Sequence, residues 1–393
     1  MHIIRPAIWD YDWGSGTAIQ EIVGRDDPRI AEAWFGAHPL APSTGLDGRP
    51  LDQVVAADPH GTLGEGTLRR FGAVLPYLLK LIAADRALSL QVHPNLDRAR
   101  AGFAAEERAG IPRDAPQRSY RDPNHKPELV YALTRFEAMC GFRTPRRAAE
   151  VLSGLGTPLS DALSRTLDDQ PSAAGVREVF TRLVDPDLAP SPAEVAQVVA
   201  ACRRRLESGS PSPRADRTVG LLAGQFPGDP GVVTSLLLNP VTLYPGDALF
   251  VPAGGVHAYL HGLAVEVMAS SDNVLRAGLT SKHVDVAEML RNVDYVAAPP
   301  IRIAPETFHH ATRVYYAPVD DFELSVTDVP ADDVAHRLPS RGPRVVLCLY
   351  GSVVLADGAQ SLTLHRGQAA FVPDRDGAVT VSGTGTVVQA AVP

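Results

Sequence analysis

The 393-residue sequence predicts a mainly β protein of the α+β class with a helical insert. Three observations carry this. Short strand-like runs cut by Gly and Pro fill residues 1–143 and return from about 231. Helical periodicity with helix-start signals occupies the stretch between. A final block, about 300–393, alternates Val and Leu between turns such as "LADGAQ" and "VSGTGT". The expected organisation is therefore residues 1–143 and 223–300 as two parts of one β domain, 144–222 as a helical domain, and 301–393 as a second β domain.

Along the chain, "ALSLQVHPN" (87–95) reads as a strand, with Leu88, Leu90 and Val92 on one face and Ser89, Gln91 and His93 on the other. "YRDPNHKPELVYAL" (120–133) is punctuated by Pro123 and Pro127, so 120–127 is a loop and Glu128 opens an apolar strand. Thr144 caps a helix and Pro145 suits its first turn. Val176, Val179, Phe180 and Leu183 form one helical stripe, and Val195, Val198, Val199 and Cys202 another, started by Ser191, Pro192 and Glu194 as a capping box. "SGSPSPRAD" is a loop between helices, and "CRRRLES" a solvated helix face. "GVVTSLLLNPVTLYPGDALFVPAGGVHAYL" (231–260) reads as strands.

Bulk properties exclude several function classes. A formal net charge of −8 argues against a general nucleic-acid binder, while leaving room for a local basic pocket. The cysteines, Cys140, Cys202 and Cys348, are odd in number and form no CxxC, which fits a reducing compartment without disulfides. The apolar run in "MHIIRPAIWDYDWGSG" is too short for a signal peptide, and no run of about 18 apolar residues occurs. The expectation is a cytoplasmic protein with no nucleic-acid or membrane partner, a monomer or weak homo-oligomer.

An internal echo aligns "YPGDALFVPAGGVHAYLHG" (244–262) with "HRGQAAFVPDRDGAVTVSG" (365–383). Gly246 matches Gly367, Phe250 matches Phe371 and Pro252 matches Pro373; Ala378 stands where the first copy has His257. Gly246, Pro252, Gly254 and His257 also resemble the second half of the cupin signature, G-x5-P-x-G-x2-H. That resemblance implies cupin-type antiparallel β-barrels, a catalytic one followed by a metal-free C-terminal one, with a pocket at the mouth of the first that the helical insert can cover. Alternate residues enter a barrel, so Gln91 and His93 would point toward His257. A metal needs several converging lone pairs and an anion. Glu128 either completes a site with Gln91, His93 and His257 or is a solvated edge residue.

Longer segments resemble the type I mannose-6-phosphate isomerase family. "YRDPNHKPE" matches its Y-x-D-x-N-H-K-P-E segment, and "HAYLHGLAVEVMASSDNVLRAGLTSK" (257–282) its second, longer one. "YDWGS", "AEAWFGAHP", "LPYLLK" and "LSLQVHPN" also fit. The resemblance covers most of residues 1–300. It implies a zinc-dependent aldose–ketose isomerase acting on mannose 6-phosphate and fructose 6-phosphate, supplying mannose 6-phosphate for GDP-mannose synthesis or mannose catabolism. It implies one Zn²⁺ per chain on Gln91, His93, Glu128 and His257, and Arg276 as an active-site residue. Ser281 departs from the family's usual Pro.

Enediol chemistry needs a proton shuttle, a stabiliser of oxygen charge and a phosphate grip. Glu266 and Lys126 are the shuttle candidates, Glu266 being alternatively a salt-bridge partner of Arg276 or Lys282. Arg276 is either a phosphate anchor or a charge stabiliser, and Lys282 offers a second cation. Ser89 and Tyr259 are further substrate contacts, Ser89 alternatively filling the barrel. Trp13 and Trp34 either line a sugar pocket or belong to the core. His125 and His261 read as loop histidines. Rival readings are a cupin dioxygenase, a cupin metalloenzyme on another sugar phosphate, and a non-catalytic sugar-phosphate binder.

Overall fold

A computed structural model describes residues 1–309, 311–331 and 334–393. The described residues form two large, wholly antiparallel sheets of 11 and 10 strands and a helical segment between consecutive strands of the first. The spine of the 11-stranded sheet is the 13-residue strand His257–Ala269. Its first half pairs with Leu90–Val92 and Phe136–Phe142, and its second half with Tyr77–Ala84 and Glu128–Ala132. Leu275–Gly278 adds to the outer side of Leu90–Val92. Only Leu90–Val92 of the segment 87–95 is strand: His93 and Pro94 follow, and Asn95 caps the helix Leu96–Arg108 by accepting from the Arg98 N–H.

The alternation along the spine is broken once. Register shifts between Tyr259 and His261, and Gly262 has φ 119 with no room for a Cβ beside the Arg135 carbonyl. A one-residue bulge swaps the faces. Tyr259 and Glu266, seven positions apart, consequently point to the same side, and the Tyr259 hydroxyl reaches Glu266 Oε1 at 3.1 Å.

The helical segment runs from Pro145 to Thr234, further than its periodicity indicates. Thr144 caps the first helix, and Ser191 and Glu194 form the reciprocal capping box of Pro192–Glu207. Both stripes face inward; of their members only Val199 is partly exposed. Each such buried aliphatic side chain contributes about 1.5–3 kcal/mol. Residues 231–237 are not strand but the turn of helix Gly231–Thr234 and a 3-10 turn Ser235–Leu237. A short apolar run bounded by Pro and Gly carries no period that separates the two. The loop in "SGSPSPRAD" ends early, because Pro213–Gln225 is helical from its proline. Arg205 is not solvated: it holds Asp216 at 2.5 and 2.9 Å and donates to the Val151 carbonyl, tying its own helix to two others.

These helices do not cover the cleft described below. They pack on the back of the sheet, against Leu90, Val92, Met139, Phe142, Ala258 and Leu260. The opposite face carries the polar residues.

The 10-stranded sheet is built mainly from residues 306–391, and its edges do not follow the chain. The strand His2–Arg5 joins it beside Ala369–Val372, with His2 opposite Phe371. Ile301–Ile303 belongs to the other sheet, opposite Ala248–Phe250. The echo survives in structure: Ala248–Val251 and Ala369–Val372 are equivalent strands, each preceded by a left-handed glycine, Gly246 (φ 97) and Gly367 (φ 81). A shared apolar core with Leu79, Leu81, Val265 and Val267 on one side and Leu324, Val345, Leu347 and Phe371 on the other joins the two sheets.

Candidate metal centre and active-site cleft

His93, Glu128 and His257 converge from three strand ends, and their ligand atoms lie within 4.8 Å of one another. Gly254 (φ 82) turns the chain tightly against residues 292–294, and the strand that follows starts at His257. Both imidazoles are fully buried. Each uses Nδ1 on a backbone carbonyl, His93 on Asn273 at 2.8 Å and His257 on Gly255 at 2.9 Å. A ring that donates from Nδ1 keeps its lone pair on Nε2. The two Nε2 atoms stand 3.1 and 3.4 Å from the Glu128 oxygens, yet neither makes a well-formed hydrogen bond. Two orphaned, buried lone pairs aimed at one carboxylate fit a divalent cation of the zinc type, whose usual ligands are these groups.

Electrostatics agree with that donor set. Burial holds His93 down at about 4, so it stays neutral. Burial opposes ionisation of Glu128, yet the carboxyl is held well below its usual range, with the Lys126 ammonium beside it. Gln91 is the direct cross-strand partner of His257. Directly opposed residues share a face of the sheet, so its amide is on the side of the imidazoles.

Above this group lies a cleft of about 230 Å³. Ser89, Gln91, Lys126, Glu128, Tyr259, Glu266, Arg276 and Lys282 all line it, as do Trp13 and Trp34. Of the helical segment and its exit, only Phe226 reaches it. Arg276 is not on a loop, as its glycine-containing neighbourhood suggests, but on the strand Leu275–Gly278 opposite Gln91. Two strand spacings put its Cα about 10 Å from that of His257. Among the described residues neither Arg276 nor Lys282 has a carboxylate within 4 Å; Lys282 Nζ sits 5.6 Å from the Tyr11 ring centroid. Burial and the Arg276 charge both lower the pKa of Lys282.

Glu266 pairs with neither of these cations. Its partner is Lys80, at 3.1 Å, and Lys80 also lies 3.8 Å from Glu32. Trp34 Nε1 donates to Glu32 at 2.6 Å. Burial pulls Lys80 toward neutrality, but the charges of Glu32, Glu266 and Glu128 outweigh it and raise its pKa. Burial and the Glu128 charge push Glu266 up. Tyr259 bridges the two halves of the site, reaching Glu128 Oε2 at 2.9 Å as well as Glu266. Lys126 Nζ is 3.5 Å from Glu128 Oε1.

Lys80 and Glu32 were missed by motif reasoning. The available signal was a lysine inside the apolar run "LPYLLKLIAA", where burial demands an anionic partner. His125 is not among the donors: it pairs with Asp321 at 3.0 Å and lines a different cavity, and His261 is exposed. A larger cavity of about 1340 Å³ shares only Asp272 with the cleft.

An antiparallel β fold with a buried His–Glu–His group under a cation-bearing cleft defines a protein of the cupin class with a preformed set of metal ligands. Residues 1–145 match the family model for the phosphomannose isomerase type I catalytic domain, and 312–392 that for the mannose-6-phosphate isomerase cupin domain. The mannose-6-phosphate isomerase of Escherichia coli (strain K12) is 38% identical over 98% of this chain and 97% of its own. Mannose-6-phosphate isomerase 1 of Arabidopsis thaliana is 32% identical over 94% of this chain and 88% of its own. The crystal structure of mannose 6-phosphate isomerase from Salmonella typhimurium bound to substrate (F6P) and zinc superposes with a TM-score of 0.89 at 35% identity, covering 100% of this chain and 99% of that one. The chain belongs to the type I phosphomannose isomerase family.

Proposed function

We propose that this protein interconverts mannose 6-phosphate and fructose 6-phosphate, with one zinc ion held by Gln91, His93, Glu128 and His257. The observation that carries the reading is the pair of unpartnered imidazole nitrogens facing Glu128 in a chain of this family. Zinc in such a site would supply Lewis acidity toward the sugar oxygens, and one carboxylate among three neutral ligands leaves its net charge positive.

The chain's own groups do the rest. Arg276 and Lys282, cations with no carboxylate within 4 Å among the described residues, hold the phosphate, Arg276 with its planar fork and Lys282 as a point charge. Glu266 takes the proton from C2 of the open-chain aldose and returns it to C1 of the enediol. Its raised pKa brings it toward the range useful for that exchange. Lys80 and Tyr259 fix its carboxylate in place. Lys126 donates to the O1/O2 edge from beside Glu128. Trp13 and Trp34 wall the cleft against water, and Ser89 contacts the sugar phosphate. Supply of mannose 6-phosphate for GDP-mannose synthesis or for mannose catabolism is the corresponding role in the cell.

The test is a coupled assay on mannose 6-phosphate before chelation, after chelation and after zinc add-back. Loss and recovery of turnover is the expected result. Full activity in demonstrably metal-free protein would overturn the metal assignment, and no activity on this substrate with zinc bound would overturn the substrate.

A further inference from the structure

The stretch between Arg276 and Lys282 is held from outside the sheet. Leu279 lies three residues from each cation and has φ 53, a left-handed conformation that resists any side chain beyond glycine. It is nevertheless a leucine, 1% exposed. Its side chain belongs to the core of the helical segment, with Val232, Val233 and Leu236. Glycines allow the close approach. A Cβ on Gly231 would stand 3.0 Å from the Leu279 nitrogen, and one on Gly278 would stand 3.2 Å from the Gly231 Cα. Asp229, at the exit of the last long helix, adds a polar tie. One carboxylate oxygen accepts from the Gly231 N–H at 2.7 Å and the other from the Thr280 N–H at 3.3 Å. The Thr280 hydroxyl in turn accepts from the Lys282 N–H at 3.1 Å.

We propose that Leu279 is a positioning residue, latching the loop that carries Lys282 to the base of the helical segment, with Asp229 as its polar partner. The strained backbone persists because the buried side chain over-determines it. The helical segment, which does not roof the cleft, thereby sets the spacing of the two cations and so the affinity for the phosphate end of the substrate. This rests on the reading of Arg276 and Lys282 as the phosphate grip.

The experiment uses the full-length, zinc-loaded protein and compares Leu279→Ala, Leu279→Met, Asp229→Asn and Lys282→Ala. For Leu279→Ala, KM for mannose 6-phosphate should rise about tenfold while kcat stays within about threefold, the pattern of a displaced binding group. Zinc content should be unchanged, and amides 279–282 should exchange hydrogen faster. Leu279→Met should recover most of the affinity. Asp229→Asn, a half-exposed site, should raise KM in the same direction and decides the matter if Leu279→Ala does not fold. Unchanged KM in Leu279→Ala or, where that variant is unfolded, in Asp229→Asn would overturn the latch, provided Lys282→Ala raises KM. Unchanged KM in Lys282→Ala would overturn the phosphate reading itself, and the latch with it.

Discussion

Gln91 stands directly between His257 and Arg276, opposite one across the sheet on each side. Its neutral amide is therefore the point where the donor group meets the cation that would hold substrate. A carboxylate there would ion-pair with Arg276 and cancel the remaining positive charge of the metal site. Gln91→Glu should keep a full complement of zinc and lose turnover by about 10²-fold, the scale of one misdirected electrostatic contact. Metal analysis beside kcat checks this; equal kcat in the metal-loaded variant would refute it.

Lys80→Ala leaves Glu32 and Glu266 buried without their ammonium. Breaking a buried pair from one side costs about 3–5 kcal/mol. The variant should melt well below the parent, and the double variant Lys80→Ala/Glu266→Gln should recover part of that loss. A double-mutant cycle on Tm and denaturant midpoint reads the coupling; strict additivity would show that the two side chains do not interact.

Removing the Tyr259 hydroxyl tests the bridge between Glu128 and Glu266. Tyr259→Phe keeps the ring that packs on Phe136 at 5.3 Å and deletes only the contacts at 2.9 and 3.1 Å. Unsatisfied buried acceptors cost about 1–3 kcal/mol. The expected outcome is a modest loss of stability with a larger loss in kcat than in KM. Unchanged kcat would mean the bridge is mere packing.

For Arg276→Ala both kinetic constants carry information. An anchor alone raises KM, and a group that also stabilises developing charge lowers kcat. Its place beside Gln91 favours a fall in kcat of about 10²-fold on top of the rise in KM. A raised KM with kcat unchanged at saturating substrate would restrict Arg276 to anchoring.

His38 supplies a pH dependence of stability. Burial beside Trp34 lowers its pKa from 6.5 to about 4. In that window the unfolded chain binds a proton that the folded chain refuses. The contribution is therefore complete above pH 6.5 and is lost as pH falls to about 4, a total of at most about 3 kcal/mol. His38→Asn keeps an acceptor for the Leu40 N–H and should flatten the fall of Tm between pH 6.5 and 4. Parallel Tm–pH curves for parent and variant would contradict this.

Local signals were the readable ones. Thr144, Ser191 and Glu194 act through neighbours within one turn, so their caps could be read directly. Glu128 opens its strand where Pro127 predicts it. His93, Glu128 and His257 sit in segments that resemble the isomerase family's, and it is that resemblance, not spacing alone, that favours Glu128 as a ligand over a solvated edge residue. What stayed hidden depends on partners far along the chain. Glu266 finds Lys80 rather than Arg276 because strand pairing sets Glu266 opposite Lys80, a register no local pattern encodes. The bulge after Tyr259 inverts the alternation without an inserted motif. Residues 231–237 are apolar in either conformation, and only packing against the helices selects the turn.

The pairing of His2–Arg5 with Ala369–Val372 has a consequence for how the protein is made. At about 5–20 residues per second, a ribosome needs roughly 20–70 seconds between emitting the first of these strands and the second. Throughout that interval the early strand can pair with Thr44–Gly45 on one side, while its other side has no mate. A newly synthesised chain thus carries one open strand edge until residues 369–372 arrive to close it, and such an edge is where pairing with another chain can start.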